Sequence, residues 1–160
     1  MTIQVGDTLP SINLTTMTDE GPKPVSMAEI SSGKKVVLFA VPGAFTPTCS
    51  VQHLPGFLEK NSDLKEKGVD VIACVSVNDP FVMKAWGEDR NVGDDVMMLS
   101  DGNGEFTAAI GLEMDGSGFG LGTRSQRYAM IIDDGVVSAL NVEPGPGLDV
   151  SSAETILEQL

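Results

Sequence analysis

Two apolar runs, separated by one stretch of helical length, limit the folds open to this chain more than any other feature of its sequence. The runs cover residues 35–41 (K-V-V-L-F-A-V) and 69–77 (V-D-V-I-A-C-V-S-V), and both are rich in residues that favour β-strands. Strands of this kind are typical of parallel sheets, which are buried on both faces. Residues 51–67, between the runs, predict a helix. We therefore expect a βαβ unit with parallel strands.

A second signal lies near the C-terminus, where residues 127–133 and 136–142 predict two strands joined by Asp134-Gly135. This dipeptide is a strong signal for a two-residue hairpin turn, so the two strands must be antiparallel. The other predicted elements are an N-terminal hairpin or arm within residues 5–30, a helical turn near 26–30, a helix that begins at Asp79-Pro80, a strand at 96–99, a helix at 105–110, a glycine-rich loop at 114–123 and a helix at 151–160.

The order of these elements defines the expected fold. A βαβ unit followed by a ββα unit is the thioredoxin-type arrangement, and its terminal hairpin makes the sheet mixed. We predict one α/β domain over residues 1–160 with a thioredoxin-like fold. A mixed central sheet is expected to be flanked by helices and extended by an N-terminal hairpin.

Charge and composition exclude several classes of partner. Ten lysines and arginines against 23 aspartates and glutamates give a net charge of −13. Binding to nucleic acid or to an anionic membrane surface depends on basic residues, so we expect neither partner. No apolar run approaches the ~20 residues of a membrane span, and the N-terminus carries no secretory pattern. Two cysteines without such a signal predict a reducing, cytoplasmic location.

One of these cysteines, Cys49, lies in the loop over residues 41–50 (V-P-G-A-F-T-P-T-C-S), where the first predicted helix begins. An unperturbed cysteine thiol titrates near ~8.5, so about 3% is ionised at pH 7. Ionising about 90% would require roughly 3.4 kcal/mol, whereas a helix N-terminus contributes at most about 2 kcal/mol. The shortfall predicts a nearby cation. Arg124 and Arg127 bracket the start of a predicted central strand, whereas Arg90 ends a helix that we expect to be exposed.

The loop also carries a specific resemblance. The pattern Pro42-x3-Thr46-x2-Cys49 matches the signature of peroxiredoxins, and T-P-T-C followed by H-L-P-G-F resembles the type-V subfamily that includes the plant type-II enzymes. The segments A-C-V-S-V-N-D-P-F-V-M-K-A-W, R-S-Q-R-Y-A-M and D-G-V-V-x-A-L-N-V-E-P look like the same subfamily. The resemblance implies a thiol-dependent peroxidase for hydrogen peroxide and alkyl hydroperoxides. It also implies no cofactor, and a homodimer that packs through loops near the active site.

The resemblance assigns a role to each matching residue. Cys49 would attack the peroxide and become a sulfenic acid, and Thr46 with the Cys49 backbone N–H would hold the peroxide in line. Arg127 would stabilise the thiolate and the leaving oxygen, and Pro42 would shield the sulfur from water. The expected apolar walls of the peroxide site are Phe45, Phe119 and Leu121.

The second cysteine, Cys74, lies inside the apolar run of residues 69–77 and is interpreted as a buried structural thiol. It is three residues before Val77, or about 10 Å below the end of the strand, so a direct disulfide with Cys49 would require local unfolding. In plant type-II relatives a cysteine at this spacing is proposed as a redox partner, so both readings stay open. Animal relatives carry a resolving cysteine where this chain has Val150. That difference favours an outside reductant, glutathione with glutaredoxin or thioredoxin.

Other functions receive weaker support from the sequence. A single histidine, His53, and two cysteines cannot complete a Cys/His zinc site, so no metal is expected and His53 is interpreted as a packing and hydrogen-bonding residue. Residues 116–122 (G-S-G-F-G-L-G) do not match a dinucleotide-binding pattern. The absence of C-x-x-C argues against thioredoxin-like disulfide exchange. The main alternative is a non-enzymatic module of this fold that senses redox state or binds unfolded clients.

Overall fold

The computed structural model describes residues 1–160 and contains nine strands and six α-helices. The elements in chain order are β1 (Asn13–Thr18), β2 (Gly21–Ser26), α1 (Met27–Ser31), β3 (Lys35–Ala40), a π-helix (Cys49–His53), α2 (Leu54–Glu59), α3 (Asn61–Glu66), β4 (Val71–Ser76), α4 (Pro80–Asp89), β5 (Met97–Ser100), α5 (Glu105–Ile110), β6 (Glu113–Asp115), a 3-10 turn (Ser117–Phe119), β7 (Thr123–Ser125), β8 (Tyr128–Asp133), β9 (Val136–Val142) and α6 (Ala153–Gln159). None of the helices has the length and apolar character needed to cross a membrane.

Seven of the strands form one mixed sheet in the order β2-β1-β5-β4-β3-β8-β9. The parallel pairs β3–β4 and β4–β5 lie at its centre, and the antiparallel hairpin β8–β9 adds to one side through β3. The N-terminal hairpin β1–β2 completes the other side through a single pair, Thr15 with Ser100. The predicted βαβ unit, terminal hairpin and N-terminal hairpin extension are confirmed.

Strand β3 shows why the central runs are continuously apolar. Val36, Leu38 and Ala40 pack into a hydrophobic cluster on one face of the sheet. Val37 and Phe39 belong to a second cluster on the other face, which also contains Cys49 and Cys74. Because both faces are covered, every position of the strand after Lys35 is buried.

The prediction of one continuous helix over residues 51–67 is wrong. The chain instead forms the π-helix, in which the Leu54 N–H donates to the Cys49 carbonyl, and then α2 and α3 as two separate helices. Pro55 gives the physical reason, because it has no N–H to donate to the carbonyl of residue 51 and its ring crowds that carbonyl. The wider turn before the proline removes this conflict.

The glycine-rich segment at residues 114–123 also differs from the loop that its composition predicts. Its two ends belong to a two-stranded hairpin, β6–β7, in which Met114 pairs with Arg124, and residues 116–122 connect the strands. The 3-10 turn lies between the strands, and Gly120 and Gly122 adopt positive φ angles of 73° and 68° that most other residues avoid. The hairpin places Arg124 on a strand rather than on a flexible loop.

A buried carboxylate fixes the start of α5. Asp101 is 3% exposed, and it accepts hydrogen bonds from the Phe106 N–H at 3.1 Å, the Thr107 N–H at 2.8 Å and the Thr107 hydroxyl at 2.6 Å. The residue before the helix, Gly104, has no side chain that could replace it. Asp101 thus satisfies two of the N–H groups that a helix N-terminus leaves without partners.

We predict that Asp101→Ala destabilises the protein by about 2–4 kcal/mol, because three buried donors lose their acceptor at once. Urea unfolding at neutral pH measures this loss. The matched control is Asp94→Ala, since Asp94 is exposed and makes no side-chain hydrogen bond. Equal midpoints for the two variants would show that Asp101 does not support the helix.

Candidate active site

Cys49 is held at the end of the central strand β3. The Val41 N–H bonds the Val75 carbonyl at 3.2 Å, so the loop leaves the sheet only after residue 41. The loop is then anchored by Asn78, whose side-chain oxygen accepts from the Ala44 N–H at 3.0 Å. Cys49 follows as the first residue of the π-helix and is fully buried.

The neighbours of Cys49 in the π-helix are fixed by the only tryptophan of the chain. Trp86 is fully buried in α4, and its indole N–H donates to the Ser50 hydroxyl at 2.9 Å. The ring of Phe45 lies 6.4 Å from the Trp86 ring. Trp86 therefore supports the loop before Cys49 and the helix after it.

Arg127 is the cation that meets the sulfur. Its Nη2 donates to Cys49 Sγ at 3.2 Å, and the side chain is only 5% exposed. Arg127 directly precedes β8, and the antiparallel pairing of Ala40 with Tyr128 brings it beside the end of β3. It takes part in none of the ion pairs of the chain, and its Nε is buried without a partner.

His53 is the second group on Arg127. Its Nδ1 lies 3.0 Å from Arg127 Nη1, and its Nε2 lies 2.9 Å from the Ser151 carbonyl. Because a guanidinium can only donate, Nδ1 accepts and the Nε2–H donates to Ser151. The ring is therefore neutral. Burial and the positive charge of Arg127 lower the pKa of His53 to about 3. This agrees with the hydrogen-bonding role predicted for His53.

Glu143 fixes the other end of this chain of contacts. One of its carboxylate oxygens accepts from the Ser151 N–H at 2.8 Å, the Ser151 hydroxyl at 2.7 Å and the Asp149 N–H at 2.8 Å. Burial opposes ionisation of Glu143, but the hydrogen bonds from Ser151 and Asp149 outweigh it and lower its pKa. The Glu143 N–H donates to the Arg127 carbonyl at 2.9 Å. Glu143, Ser151, His53, Arg127 and Cys49 thus form one continuous network.

Thr46 and Pro42 lie in the loop before Cys49. The Thr46 hydroxyl donates to the Gly43 carbonyl at 2.7 Å, so its oxygen is left to accept a hydrogen bond from another molecule. Pro42 is half-buried, and its carbonyl accepts from Arg124 Nη1 at 3.2 Å. Arg124 Nε donates to the Leu121 carbonyl at 2.9 Å, so Arg124 joins the glycine-rich hairpin to the loop.

The three predicted apolar walls differ in their surroundings. Phe45 is 49% exposed and has a φ of 66°, a left-handed conformation that is rare for an aromatic residue. Leu121 is half-buried, whereas Phe119 is 87% exposed on the 3-10 turn. Within one chain, Phe45 and Leu121 therefore lie at the Cys49 loop, whereas the ring of Phe119 lies in solvent.

No other part of the chain offers a competing centre. Nowhere do three or more His, Cys, Asp or Glu side chains assemble in a way that could hold a metal ion. A groove of about 660 Å³ lies between α4, β5 and β1, and none of its lining residues belongs to the Cys49 loop.

Comparison with known proteins shows the family. The Redoxin family model matches residues 4–157. The chain is 58% identical to "Peroxiredoxin-2E-2, chloroplastic" of Oryza sativa subsp. japonica, over 99% of this chain and 73% of that protein. It is 50% identical to "Peroxiredoxin-2B" of Arabidopsis thaliana, over 99% of this chain and 98% of that one. The crystal structure of reduced Prx3 from Vibrio vulnificus in complex with hydrogen peroxide superposes with a TM-score of 0.94 at 59% identity, covering 98% of each chain.

The chain is a peroxiredoxin. It belongs to the Redoxin family over almost its whole length, and it is a thiol-dependent peroxidase. The thioredoxin-like fold predicted from the order of its strands and helices is confirmed.

The second cysteine of this peroxiredoxin is held inside the sheet. Cys74 pairs with Phe39 in the middle of the β3–β4 ladder, and it is fully buried on the same face as Cys49. Both cysteines are free. Burial raises the pKa of the Cys74 thiol well above its usual value, and the nearby Cys49 adds to this while Arg127 opposes it. Cys74 is therefore a neutral thiol at physiological pH.

Sequence reasoning did not identify Glu143 and Ser151 as part of the site. Ser151 lies at the start of the helix predicted over residues 151–160, and the cap of the observed helix is Ser152. Glu143 and Ser151 are separated by a loop of seven residues, and the sequence of this loop has no periodic pattern that would predict their contact. The V-E-P segment that contains Glu143 was part of the resemblance and is the one signal that pointed to it.

We predict that His53→Gln flattens the dependence of stability on pH. In the unfolded chain His53 takes up a proton near its usual pKa of 6.5, whereas in the folded chain it does so only near 3. The unfolded state thus binds the extra proton between these values, and stability falls by up to about 1.4 kcal/mol per pH unit as pH drops.

Urea unfolding at pH 6.5, 5.5 and 4.8 tests this, because the chain has no other histidine and the two proteins share every carboxylate, including Glu143. The gap in unfolding free energy between wild type and His53→Gln should narrow as pH falls. Parallel curves for the two proteins would contradict a buried neutral imidazole.

Proposed function

We propose that this peroxiredoxin is of the type-V kind and reduces hydrogen peroxide and alkyl hydroperoxides through a sulfenic acid on Cys49. The observation that carries the proposal is the 3.2 Å contact between Arg127 Nη2 and Cys49 Sγ. It places a buried cation on the cysteine that begins the π-helix, whereas the other cysteine, Cys74, lies within a strand. The complex of Vibrio vulnificus Prx3 with hydrogen peroxide supports peroxide as the substrate.

In the first step, the Cys49 thiolate attacks the nearer peroxide oxygen. The S–O bond forms as the O–O bond breaks, and the farther oxygen leaves with the electron pair and takes a proton to become water or an alcohol. Thr46 suits the task of holding the peroxide, because its hydroxyl donates to Gly43 and can accept from the peroxide O–H. Charge that develops on the leaving oxygen is stabilised by Arg127.

The neutrality of His53 makes Arg127 more effective in this step. A carboxylate partner would compensate the guanidinium charge, whereas the imidazole accepts one N–H and leaves the charge in place. Arg127 Nε remains without a partner in the chain. The site thus keeps a guanidinium charge that no carboxylate neutralises, and this charge acts on the thiolate and on the transition state.

In the second step, we propose that an outside thiol reduces the sulfenic acid. Cys74 is enclosed in a strand ladder, and Val150 stands where a resolving cysteine would be needed. Glutathione, alone or through glutaredoxin, is the favoured donor, and thioredoxin is the alternative. The cytoplasm, a reducing compartment, is the proposed location, supported by two cysteines that are both free.

We also propose a homodimer that packs through the loops near Cys49. The supporting observation is a group of exposed apolar side chains on these loops and on the adjacent helix starts, namely Phe45, Val51, Phe81 and Phe119. Pairing of two copies would cover them. In such a dimer the ring of Phe119 would become an apolar wall of a peroxide site, either in its own chain or in the partner.

We predict that Cys49→Ser abolishes peroxide consumption, because the only nucleophile of the site is lost. Cys74→Ser is the matched control and should keep the wild-type rate with every donor. Hydrogen peroxide consumption is measured with glutathione alone, with glutaredoxin and with thioredoxin. Activity retained by Cys49→Ser would refute the mechanism, and a donor-specific loss in Cys74→Ser would place Cys74 in the cycle.

We predict that Arg127→Gln slows the oxidation of Cys49 by about 10²–10³-fold, as expected when a buried group that stabilises the transition state is removed. The rate is measured in a single turnover, by competition with a peroxidase of known rate. Arg90→Gln removes the same charge from a partly exposed position and is the control. If both variants react equally fast, the cation that serves Cys49 must be Arg124.

A further inference from the structure

Arg124 is a cation beside the active-site loop whose charge no group in the chain neutralises. It takes part in none of the four ion pairs of the protein. Its guanidinium is nevertheless fixed, since Nε donates to the Leu121 carbonyl and Nη1 to the Pro42 carbonyl. Nη2 has no partner within the chain and is not buried, so it reaches solvent.

The guanidinium lies directly against the residues that surround Cys49. A Cβ atom placed on Gly43 would meet Arg124 Nη1 at 2.9 Å and Thr46 Cγ2 at 3.2 Å. Arg124 and Thr46 are therefore neighbours across Gly43. A glycine at residue 43 is what allows the guanidinium to lie this close to the loop.

Arg124 reaches solvent at the edge of the sheet where the Cys49 loop lies. Arg127 lies at the same edge but is enclosed. Lys23 and Lys84 are paired with glutamates at 2.8 and 2.9 Å. Arg90 ends α4 and is paired with Asp89 at 3.3 Å. Of the other lysines, Lys34 and Lys35 lie at the start of β3, and three lie in or next to α3, namely Lys60, Lys65 and Lys67.

We propose that Arg124 binds a carboxylate of the molecule that reacts with Cys49. The carboxylate belongs either to the thiol reductant or to a hydroperoxide that carries an acid group. With a net charge of −13 the protein repels such molecules, and a fixed guanidinium at the entrance supplies a local attraction. Its planar donors match the geometry of a carboxylate. This inference rests on the peroxidase function proposed above.

Hydrogen peroxide and glutathione differ in charge and in size. Hydrogen peroxide is small and neutral and is expected to reach Arg127 without help from the entrance. Glutathione carries two carboxylates and is too large to be enclosed with the sulfur. Its thiolate attacks the sulfenic sulfur, and the S–S bond forms as the S–O bond breaks and the oxygen leaves as water after taking a proton. A second glutathione then displaces Cys49 and yields glutathione disulfide.

Pairs of charged and masked molecules test the proposal. The first pair is glutathione and its diethyl ester, which carry the same thiol but differ in their free carboxylates. Each is used to reduce protein that has been freshly oxidised with one equivalent of hydrogen peroxide. The second pair is a fatty-acid hydroperoxide and its methyl ester, in the oxidation step. The variants are Arg124→Gln, Arg124→Lys, which keeps the charge, and Arg90→Gln, which removes one charge elsewhere.

The readout is the ratio of rates within each pair. Wild type and Arg90→Gln should react faster with the free acid than with the ester. In Arg124→Gln the ratio of the two rates should be about fivefold smaller, which corresponds to the free energy of a partly exposed ion pair. Arg124→Lys should retain part of it. A loss in the first pair assigns the carboxylate to the reductant, and a loss in the second assigns it to the hydroperoxide.

An equal slowing of both members of each pair in Arg124→Gln would overturn the proposal, because Arg124 would then only tie the hairpin to the loop. Unchanged ratios would overturn it as well. If wild type forms no sulfenic acid on Cys49 with hydrogen peroxide, the proposed function fails first and this inference fails with it. Trapping the oxidised thiol with dimedone distinguishes that case.

Discussion

The contact between the Arg127 guanidinium and the Cys49 sulfur is the interaction on which the rest of the site depends. Removing a cation from water costs several kcal/mol unless its donors find acceptors. Arg127 meets this cost without a carboxylate, through a sulfur on Nη2 and a neutral imidazole on Nη1. Its charge thus remains available to the sulfur. The network beyond His53 exists to hold that imidazole in one tautomer and one orientation.

The fold supplies this contact across 78 residues of sequence. Strands β3 and β8 are central and antiparallel, so the end of one lies beside the start of the other. Hydrophobic clusters cover both faces of the two strands, and this close packing fixes their register. The two halves of the site therefore need no rearrangement to meet. This is the geometric condition for electrostatic preorganisation.

The parts of this structure that follow a period could be predicted from the sequence, and those that depend on local exceptions could not. The continuous apolar pattern of β3 and β4 and the Asp134-Gly135 turn predict the sheet correctly, because burial on two faces and a tight turn each leave a sequence signal. The need for a cation near Cys49 follows from an energy estimate, and the structure places Arg127 there. The π-helix escaped prediction because a single proline, Pro55, changes the hydrogen bonding of the turn before it.

The contact of Glu143 with Ser151 escaped prediction for a different reason. It joins a strand end to a loop through one carboxylate oxygen, and neither residue type indicates such a partner. The β6–β7 hairpin was hidden by its glycines, which usually indicate a loop but here allow the positive φ angles of a tight connection. These are the elements that place His53 and Arg124, so the least predictable local structure controls the surroundings of the site.

The bond from Trp86 to Ser50 gives this protein a built-in optical reporter. The indole is the only one in the chain, and it is bound to the residue that follows Cys49. Tryptophan emission is sensitive to the polarity around the ring and to hydrogen bonding at its nitrogen. Any change that unwinds the π-helix must break this bond and admit water to a ring that is now dry. The fluorescence of the unlabelled protein should therefore follow the state of a sulfur that has no spectrum of its own in that range.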